Sequence, residues 1–336
     1  MSAARRAVFL TGATGFVGVE LARELHARGH ELYVFARRSA DRAQLAGIPV
    51  RWRDGDLRDA AALEAALADV CARRREPWVV HNAAVISYRT RDRELQRAAN
   101  VEGTRNVVEA CRRQRVGRLL HVSSVVAVGQ APAGGLIDER AEYNLAPVRC
   151  DYADTKRAAE ELALGAAADV DVIAVNPGAI FGVGARVPNT LKFLQQLAHG
   201  PRLVFTPPGS LSVVGVRDVV LGCLAALERG RRGERYLLVE SAWTAFDAFS
   251  LAARLLGAPR PLASAPRPLW SALELGLRGV DLLAPLDLLT PQSARMLGVH
   301  FRCDSGKARS ELGWSAEPFE SVLVDVIARL RSRRAL

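Results

Sequence analysis

The sequence predicts an α/β fold in which a parallel, doubly wound sheet carries helices on both faces. In the first half of the chain, short runs rich in β-branched residues alternate with longer segments of helical periodicity, an order typical of consecutive βαβ units. A glycine-rich turn, Gly12–Gly18, also joins the first predicted strand to the first predicted helix. A turn of this kind in that position is typical of sheets that bind dinucleotides.

Short runs rich in β-branched or other apolar residues mark the predicted strands of this half. These are Ala7–Thr11, Glu31–Ala36, Val50–Arg53, Trp78–Asn82, Arg118–Ser123 and Val170–Asn176. Each predicted helix repeats apolar residues at helical spacing, and together they are Val17–Arg28, Leu57–Arg74, Arg97–Gln114 and Asp151–Ala168. We therefore predict a dinucleotide-binding domain of the Rossmann type over residues 1–178, and we expect this domain to contain the catalytic residues.

The second half of the chain follows a looser pattern. Glycine and proline recur through Gly178–Gly209, and no clear βα rhythm follows. We predict that residues 179–336 form mainly a smaller substrate-binding lobe, with some segments returning to the Rossmann core. The leucine- and proline-rich stretch Pro259–Leu289 is amphipathic around Leu269–Leu283. This stretch predicts either core packing of the second lobe, or an apolar wall for a lipophilic substrate, or contact with a membrane surface.

Composition argues against several classes of protein. The chain has 336 residues, of which 49% are hydrophobic, yet no uncharged apolar run reaches the roughly 18 residues of a membrane span. Its N-terminus enters a strand directly, without the long apolar core of a signal peptide, so we expect a cytoplasmic protein. The five cysteines are scattered and the six histidines form no ligand pattern, so we expect reduced thiols and no metal.

The net charge of +10 suggests nucleic-acid binding, but the distribution of the charge argues against it. Arginine carries nearly all of the positive charge, since the chain has only three lysines, Lys156, Lys192 and Lys307. Aromatic residues do not interleave with basic clusters such as Arg73–Arg75, as a base-stacking platform would require. We therefore expect solvated arginine faces and no nucleic-acid partner.

The glycine-rich turn has the spacing Gly-x-x-Gly-x-x-Gly after a strand and before a helix. Gly12 permits the tight turn, Gly15 lets the backbone approach a pyrophosphate, and Gly18 allows close packing of the helix. The helix N-terminus then presents unpaired N–H groups to the phosphates. The predicted cofactor contacts in this turn are Thr11, Gly12, Thr14, Gly15, Phe16, Val17 and Gly18.

The end of the second strand indicates which nicotinamide cofactor is bound. An acidic residue there would hold the ribose hydroxyls of NAD, whereas arginine would accept a 2′-phosphate. The chain has Arg37, Arg38 and Ser39 in this position and no acidic residue. We therefore predict NADP(H) in preference to NAD(H), with Arg37 as the principal contact and Arg38 or Ser39 assisting. At the end of the third strand, Asp56, beside Leu57, is placed to accept from the adenine amino group.

Tyr152 and Lys156 are the candidate catalytic pair. Four residues apart, they lie on one face of a predicted helix, and an ammonium group beside a phenol favours the phenolate. The spacing therefore predicts a lowered pKa for Tyr152, which would let the phenol exchange a proton with an alcohol or ketone. Ser123 and Ser124 end the fifth strand, where ligands of such sheets bind, so a serine hydroxyl could contact the same substrate oxygen.

Together these motifs resemble an extended (atypical) short-chain dehydrogenase/reductase of the NAD-dependent epimerase/dehydratase superfamily. The resemblance covers nearly the whole chain and is closest in character to dihydroflavonol-4-reductase-like and 3β-hydroxysteroid-dehydrogenase-like members. The matching segments, in order, are Thr-Gly-Ala-Thr-Gly-Phe-Val-Gly at 11–18, His-Asn-Ala-Ala at 81–84, Asn-Val-Glu-Gly-Thr-Arg-Asn at 100–106, Val-Ser-Ser at 122–124, Tyr-x-x-x-Lys at 152–156, Asn-Pro-Gly at 176–178 and Glu-Leu-Gly-Trp at 311–314.

The resemblance implies a role for each matching position. Tyr152 would be the acid/base, Lys156 would lower its pKa and bind the nicotinamide ribose, and Ser124 would steady the substrate oxygen. Asn100 would hold the active-site helix and a proton-relay water. The resemblance further implies cofactor contacts at Ala83, Ala84, Pro177, Gly178 and Ile180. It also implies a homodimer formed through the helices predicted at Arg97–Gln114 and Asp151–Ala168.

Two departures from the sugar-modifying members point away from a nucleotide-sugar substrate. Val128 stands where many sugar epimerases have a tyrosine, and Leu211, seven residues before Asp218, stands where they have a diphosphate-binding arginine. Arg186, Arg202 or Arg217 could replace that arginine. We therefore expect a reductase or dehydrogenase acting on a lipophilic ketone or secondary alcohol of steroid, terpenoid, polyketide or flavonoid type. The alternatives are a sugar or hopanoid-associated epimerase/dehydratase using NAD(P) and, from another class, a non-catalytic NADP-sensing scaffold.

Overall fold

The computed structural model describes residues 5–184, 194–195, 197–199, 203–283 and 289–332. Its strands are β1 Ala7–Thr11, β2 Glu31–Ala36, β3 Val50–Asp54, β4 Trp78–His81, β5 Arg118–Val122, β6 Val172–Pro177, β7 Ala179–Phe181, β8 Phe205–Thr206, β9 Ser210–Gly215, β10 Arg235–Leu238, β11 Ser241–Thr244 and β12 Ala263–Ser264. Its helices include α1 Phe16–Ala27, α2 Ala60–Arg73, α3 Arg93–Gln96, α4 Gly103–Gln114, α5 Asp151–Gly165, α6 Val216–Arg229, α7 Ala245–Leu256, α8 Arg267–Leu283, α9 Pro291–Leu297, α10 Gly306–Leu312 and α11 Phe319–Ser332.

Seven of the strands form one parallel sheet in the order β10-β6-β5-β4-β1-β2-β3. The chain runs outward from β1 in one direction to β3 and in the other direction to β10, which is the doubly wound arrangement predicted from the sequence. The bounds of β1 and β2 agree with the predicted strands residue by residue. The predicted fold class is therefore confirmed.

Alternate residues of the central strand β1 pack on opposite faces of the sheet. Val8 and Leu10 lie in an apolar cluster with α1 and α6, whereas Phe9 lies in a second cluster with α2 and α4. All five residues of β1 are buried, as is typical of a parallel strand covered on both faces. Packing on both faces holds the sheet in place and so sets the position of the loops that follow the strands.

One long helix departs from the prediction. It begins at Arg93 rather than Arg97, and a π-helical segment, Arg97–Glu102, separates α3 from α4. Just after this segment, the hydroxyl of Thr104 on α4 donates to the main-chain oxygen of Asn100 at 2.5 Å. A side chain that inserts into the helical hydrogen-bond ladder loosens the local winding. The π-helical segment contains Asn100, which was predicted to belong to the active site, and π-helical turns are frequent at functional sites.

The second half of the chain contributes both to the central sheet and to a smaller sheet. Strand β10 pairs with β6 at the edge of the seven-stranded sheet, and α6 packs against the same sheet. Strands β11, β9 and β7 form a separate three-stranded sheet. Where the structure describes the chain, every helix is too short or too polar to cross a membrane.

Helix α8 covers most of the amphipathic stretch around Leu269–Leu283. Its residues Leu269, Leu273, Leu275 and Val280 are 50%, 39%, 68% and 46% exposed. Core packing of the second lobe, one of the predicted alternatives, is therefore wrong for these four side chains.

Candidate active site

The predicted site residues lie together at one edge of the central sheet. Each group follows the carboxyl end of a parallel strand, which is where sheets of this kind bind their ligands. The groups are Thr11–Gly18 after β1, Arg37 and Arg38 after β2, Asp56 and Leu57 after β3, Ala83 and Ala84 after β4, Ser124 after β5, and Pro177, Gly178 and Ile180 at the end of β6 and in β7. Tyr152 and Lys156 lie on α5, which packs beside the segment that follows β5.

The glycine turn has no room for larger residues. Gly12 has φ +70°, a backbone conformation that favours glycine, and a Cβ atom there would lie 2.6 Å from the Ala83 nitrogen. A Cβ atom on Gly18 would lie 2.0 Å from the Gly12 oxygen. The N–H of Gly15 donates to this same oxygen at 3.0 Å, which closes the turn. The roles predicted for Gly12 and Gly18 in turn geometry and close packing agree with these distances.

The N-terminus of α1 has the properties of an anion-binding site. The helix begins at Phe16, its N-cap is Gly15, and its first turn contains no acidic residue. Without a capping side chain, the N–H groups of Phe16, Val17 and Gly18 remain available to a ligand. The turn therefore fits the pyrophosphate of a dinucleotide. Nearby, Thr11 and Ala83 are joined by a 3.3 Å hydrogen bond from the Ala83 nitrogen to the threonine hydroxyl.

The arginines after β2 differ in their surroundings. Arg38 lies 3.5 Å from the Asp54 carboxylate. Arg37 is exposed, and within the described ranges no carboxylate lies within ion-pair distance of it. Asp56 accepts hydrogen bonds from Arg58, and this guanidinium holds the pKa of the Asp56 carboxyl below its usual range. Arg58 was missed by the sequence analysis, and it competes for the oxygens that were predicted to bind adenine.

Tyr152 is buried, with 8% of its surface exposed, and this burial determines its acidity. Burial raises the pKa of Tyr152 to about 12, although a hydrogen bond with the Ser124 hydroxyl acts in the opposite direction. The lowered pKa expected from the Tyr-x-x-x-Lys spacing is therefore wrong for this structure. Helical spacing placed an ammonium group on the same face but did not account for the loss of solvent around the phenol.

Lys156 is buried beside the end of β5. Its Nζ atom donates to the main-chain oxygen of Val122 at 2.8 Å, and its side chain is almost free of solvent, at 3% exposed. Burial lowers the pKa of Lys156 to about 8, and Glu160 partly offsets this effect. The ammonium group is thus fixed at the carboxyl end of the strand that leads to Ser124.

Asn100 ties the active-site helix to the loop after β4. Its Oδ1 atom accepts from the Val85 nitrogen at 2.7 Å, and its Nδ2 atom donates to the Val85 oxygen at 2.9 Å and to the Thr155 hydroxyl at 3.2 Å. Thr155 lies on α5 between Tyr152 and Lys156. The helix-holding role implied for Asn100 agrees with these contacts, while its proton-relay role stays a prediction.

The segment that ends β6 lies close to the smaller sheet. A Cβ atom on Gly178 would lie 2.4 Å from the Ser212 oxygen, and the Gly178 nitrogen donates to the Leu238 oxygen at 3.2 Å. This close approach fixes the main chain between Pro177 and Ile180, where nicotinamide contacts were expected. Those contacts themselves stay a prediction.

Two neighbours of the catalytic pair were missed by the sequence analysis. The ring of Tyr88 makes an edge-to-face contact with Tyr152 at a centroid distance of 5.9 Å. Tyr88 lies in the loop after β4, and no sequence spacing relates it to Tyr152. Glu160 is fully buried on α5, four residues after Lys156. The helical spacing that identified the catalytic pair also extends to Glu160, so a signal for this residue was present in the sequence.

Comparison with known proteins identifies the class of enzyme. Residues 8–238 match the model of the NAD dependent epimerase/dehydratase family. The chain belongs to this family, and the protein is an NAD(P)-dependent enzyme of the short-chain dehydrogenase/reductase type. The family named from the sequence motifs is therefore confirmed.

Particular relatives differ in what their names describe. The chain is 35% identical to "Sterol demethylase protein B" of Methylococcus capsulatus, over 96% of this chain and 98% of the relative. It is 28% identical, over 91% of both chains, to a Stigmatella aurantiaca protein named as a ketoreductase of a farnesylated dihydroquinoline oxide. A crystal structure described as a nucleoside-diphosphate-sugar epimerase from Pseudomonas aeruginosa superposes with a TM-score of 0.78 at 28% identity, covering 99% of this chain and all of that one.

The positions that distinguish a nucleotide-sugar site have apolar surroundings. Leu211 pairs with Trp243 across β9 and β11 and packs against an apolar cluster. Val128 is fully buried. Of the arginines that could substitute for a diphosphate ligand, Arg217 is exposed, and Arg186 and Arg202 lie outside the described residues.

Proposed function

We propose that the protein interconverts a ketone and a secondary alcohol on a lipophilic small molecule, using NADP(H). Its main support is the position of the buried residues Tyr152 and Lys156 on one face of α5, with the Lys156 Nζ atom bonded to Val122 at the end of β5, just before Ser124. Hydroxyl groups from Ser124 and Tyr152 at this strand end could bind a single carbonyl or alcohol oxygen.

The protein groups would act on the substrate oxygen. A phenol with a pKa of about 12 is protonated at neutral pH, so Tyr152 is in the form that donates a proton when a ketone is reduced. The Ser124 hydroxyl would hold the same oxygen and orient the carbonyl carbon. Lys156 would place a positive charge close to the phenolate that forms as the proton leaves. The bound nicotinamide supplies or accepts the hydride.

The preference for NADP(H) is inferred from Arg37. It follows β2, where the ribose end of a dinucleotide lies in this fold, and it is exposed, with no carboxylate within ion-pair distance in the described part of the chain. An arginine of this kind is available to form a bidentate contact with a 2′-phosphate. The end of β2 also lacks the acidic side chain that would select for an unphosphorylated ribose.

A lipophilic substrate is supported by Leu211, an apolar residue where a diphosphate-binding arginine would be expected, and by the names of relatives. Sterol and farnesyl groups, which occur in two of those names, are both large and apolar. The similarity to a nucleoside-diphosphate-sugar epimerase favours a second candidate, an epimerase or dehydratase acting on a nucleotide sugar. The two candidates differ in whether the substrate carries a diphosphate.

The test is a substrate screen with two arms. Purified protein is incubated with NADPH and a panel of steroid, terpenoid, polyketide and flavonoid ketones, and NADPH consumption is followed by absorbance. In parallel, UDP and UDP-sugars are titrated by calorimetry. We expect turnover of an apolar ketone and no UDP binding. Tight UDP binding without ketone turnover would favour the epimerase candidate instead.

We also propose that the protein forms a homodimer through the helices around α4 and α5. The outward arginines of α4 form intrachain ion pairs, with Arg105 bonded to Glu102 and Arg112 to Asp169. An interface built on this face would therefore be largely polar. Light scattering coupled to size exclusion measures the oligomeric state directly, and a monomer at all concentrations would contradict the proposal.

A further inference from the structure

A buried polar network behind the active site connects α5 to the end of β5. Glu160 on α5 and Asn176 near the end of β6 are both fully buried. The Asn176 Nδ2 atom donates to a carboxylate oxygen of Glu160 and, at 3.0 Å, to the main-chain oxygen of Ser124. The main chain of Ser124 is thus anchored to the helix that carries Tyr152.

An arginine on β10 completes the network. The Arg235 Nη1 atom lies 3.1 Å from the Glu160 Oε1 atom, and its side chain is mostly buried. A buried carboxylate is retained as an ion when it is paired and hydrogen-bonded. An ionised carboxylate can only accept hydrogen bonds, so it orients the Asn176 amide with its NH₂ group toward Glu160 and Ser124.

We propose that Glu160 and Asn176 are positioning residues that fix the main chain of Ser124 against α5, and that the Glu160 carboxylate provides the negative charge that balances Lys156. Tyr152, Lys156 and Glu160 follow one another at four-residue intervals on one face of the helix. Two points of the strand end are held from this face, Val122 by Lys156 and Ser124 through Asn176. The proposal rests on the function proposed above, in which Ser124 binds the substrate oxygen.

Among the titratable groups described around Lys156, Glu160 is the one whose charge raises the pKa of the lysine. His81 on β4 and His121 on β5 interact with Lys156, but both are neutral because burial lowers the pKa of His81 to about 3 and that of His121 well below its usual range. Tyr152 is also neutral at pH 7. Glu160 raises the pKa of Lys156, and Arg235 faces its other oxygen. Removing the charge of Glu160 should therefore make Lys156 lose its proton at lower pH.

Lysine NMR measures this effect without substrate or cofactor. The chain contains three lysines, so protein labelled with carbon-13 at lysine Cε gives three signals to titrate. Lys156→Met assigns the signal of interest by its disappearance. We expect this signal to titrate near pH 8 in the wild type and at a lower pH in Glu160→Gln. If Glu160→Gln leaves the midpoint unchanged, the charge-balancing role is wrong.

The matched control is Asp171→Asn. Asp171 bonds to Arg118 at 2.8 Å and joins the same two strands, β5 and β6, at their opposite ends. This control loses an ion pair that joins β5 to β6 but leaves Ser124 and Lys156 untouched. We expect it to keep the Lys156 midpoint of the wild type.

Kinetics test the positioning of Ser124. We expect Asn176→Ala to lower kcat about tenfold, the order expected for one lost hydrogen bond, while NADPH binding changes less than about twofold. Wild-type kcat in Asn176→Ala would overturn this part of the inference. Asp171→Asn is again the control, with unchanged kcat.

If Glu160→Gln does not fold, a second variant tests the same role. Glu160→Gln/Arg235→Met removes both charges, so neither is left unpaired in the interior. The double variant should also show a lowered Lys156 midpoint, by less than Glu160→Gln because a nearby cation is lost as well, and an unchanged midpoint in both variants overturns the proposal. If the wild type reduces no ketone, the proposed function fails, whereas the lysine titration still decides the role of Glu160.

Discussion

The Nζ atom of Lys156 donates a 2.8 Å hydrogen bond to the main-chain oxygen of Val122, the last residue of β5. This oxygen is neutral, and the lysine is almost completely removed from solvent. Burial consequently lowers the pKa of Lys156 to about 8. At neutral pH the folded protein thus holds a cation in an environment that favours the uncharged amine. Function and stability make opposite demands on this residue.

Lys156→Met should abolish turnover and yet stabilise the fold at neutral pH. The pKa is lowered from 10.5 when unfolded to about 8 when folded, so the unfolded chain binds more protons between these values and the stability of the wild type rises across this window. Below pH 8 the ammonium destabilises the fold by at most about 3 kcal/mol, less about 1 kcal/mol for the hydrogen bond to Val122. Urea unfolding of both proteins from pH 7 to 10 measures the difference.

The advantage of Lys156→Met should shrink as the pH rises toward 10.5, because wild-type Lys156 then enters the fold uncharged. A wild type that is more stable than the variant at pH 7 would contradict the buried-cation interpretation.

Tyr152→Phe should lower kcat by about 10²- to 10⁴-fold, the range for loss of a general acid, without weakening NADPH binding more than a few-fold. Steady-state kinetics and a fluorescence titration separate the two quantities. Tyr88→Phe is the matched control, because its ring retains the edge-to-face contact with Tyr152 while the hydroxyl of a neighbouring, partly buried phenol is removed. Normal turnover in Tyr152→Phe would show that the proton passes through another group.

The grouping of site residues at one edge of the sheet could be predicted from the sequence, because it follows from the order of strands and helices. Parallel strands of one sheet end at the same edge, so Gly12, Arg37 and Ser124 had to lie there once the βα alternation was recognised. The spacing of Tyr152 and Lys156 likewise predicts one helical face, and α5 places both there. These features depend on local periodicity.

The acidity of Tyr152 and the partners of Glu160 could not be predicted in the same way. The pKa of Tyr152 depends on how completely the surrounding elements exclude water, and Tyr88, which contributes to this exclusion, is distant in sequence. The partners of Glu160, Asn176 and Arg235, lie on strands far along the chain. Long-range packing of this kind leaves no spacing signal.

Gly18→Ala should disrupt the cofactor turn. The added methyl group would lie 2.0 Å from the Gly12 oxygen, so the turn must shift, and we expect about 1–3 kcal/mol lower stability together with loss of measurable NADPH affinity. Gly165→Ala is the matched control, since Gly165 ends α5 with no atom within 4 Å of the new methyl group. This control should be neutral or stabilised by roughly 0.5–1 kcal/mol. Thermal unfolding and NADPH titration of both variants decide the point.

Arg37→Ala should weaken NADPH binding without affecting NADH. A guanidinium contact with a 2′-phosphate is charge-assisted, so its loss should raise the Kd for NADPH by about 10- to 100-fold. NADH lacks this phosphate, and its Kd should change less than about twofold. Fluorescence titrations with both cofactors make the comparison.

Arg75→Ala is the charge-matched control for Arg37→Ala, because Arg75 is 93% exposed and lies at the opposite end of the sheet, before β4. Its removal lowers the net charge equally, so any effect of overall charge on an anionic cofactor would appear in both variants. A wild type that binds NADH more tightly than NADPH would contradict the inference from Arg37. Equal losses of NADPH affinity in the two variants would also contradict it. The affinity would then depend on the overall positive charge of the protein and not on a bond between Arg37 and the 2′-phosphate.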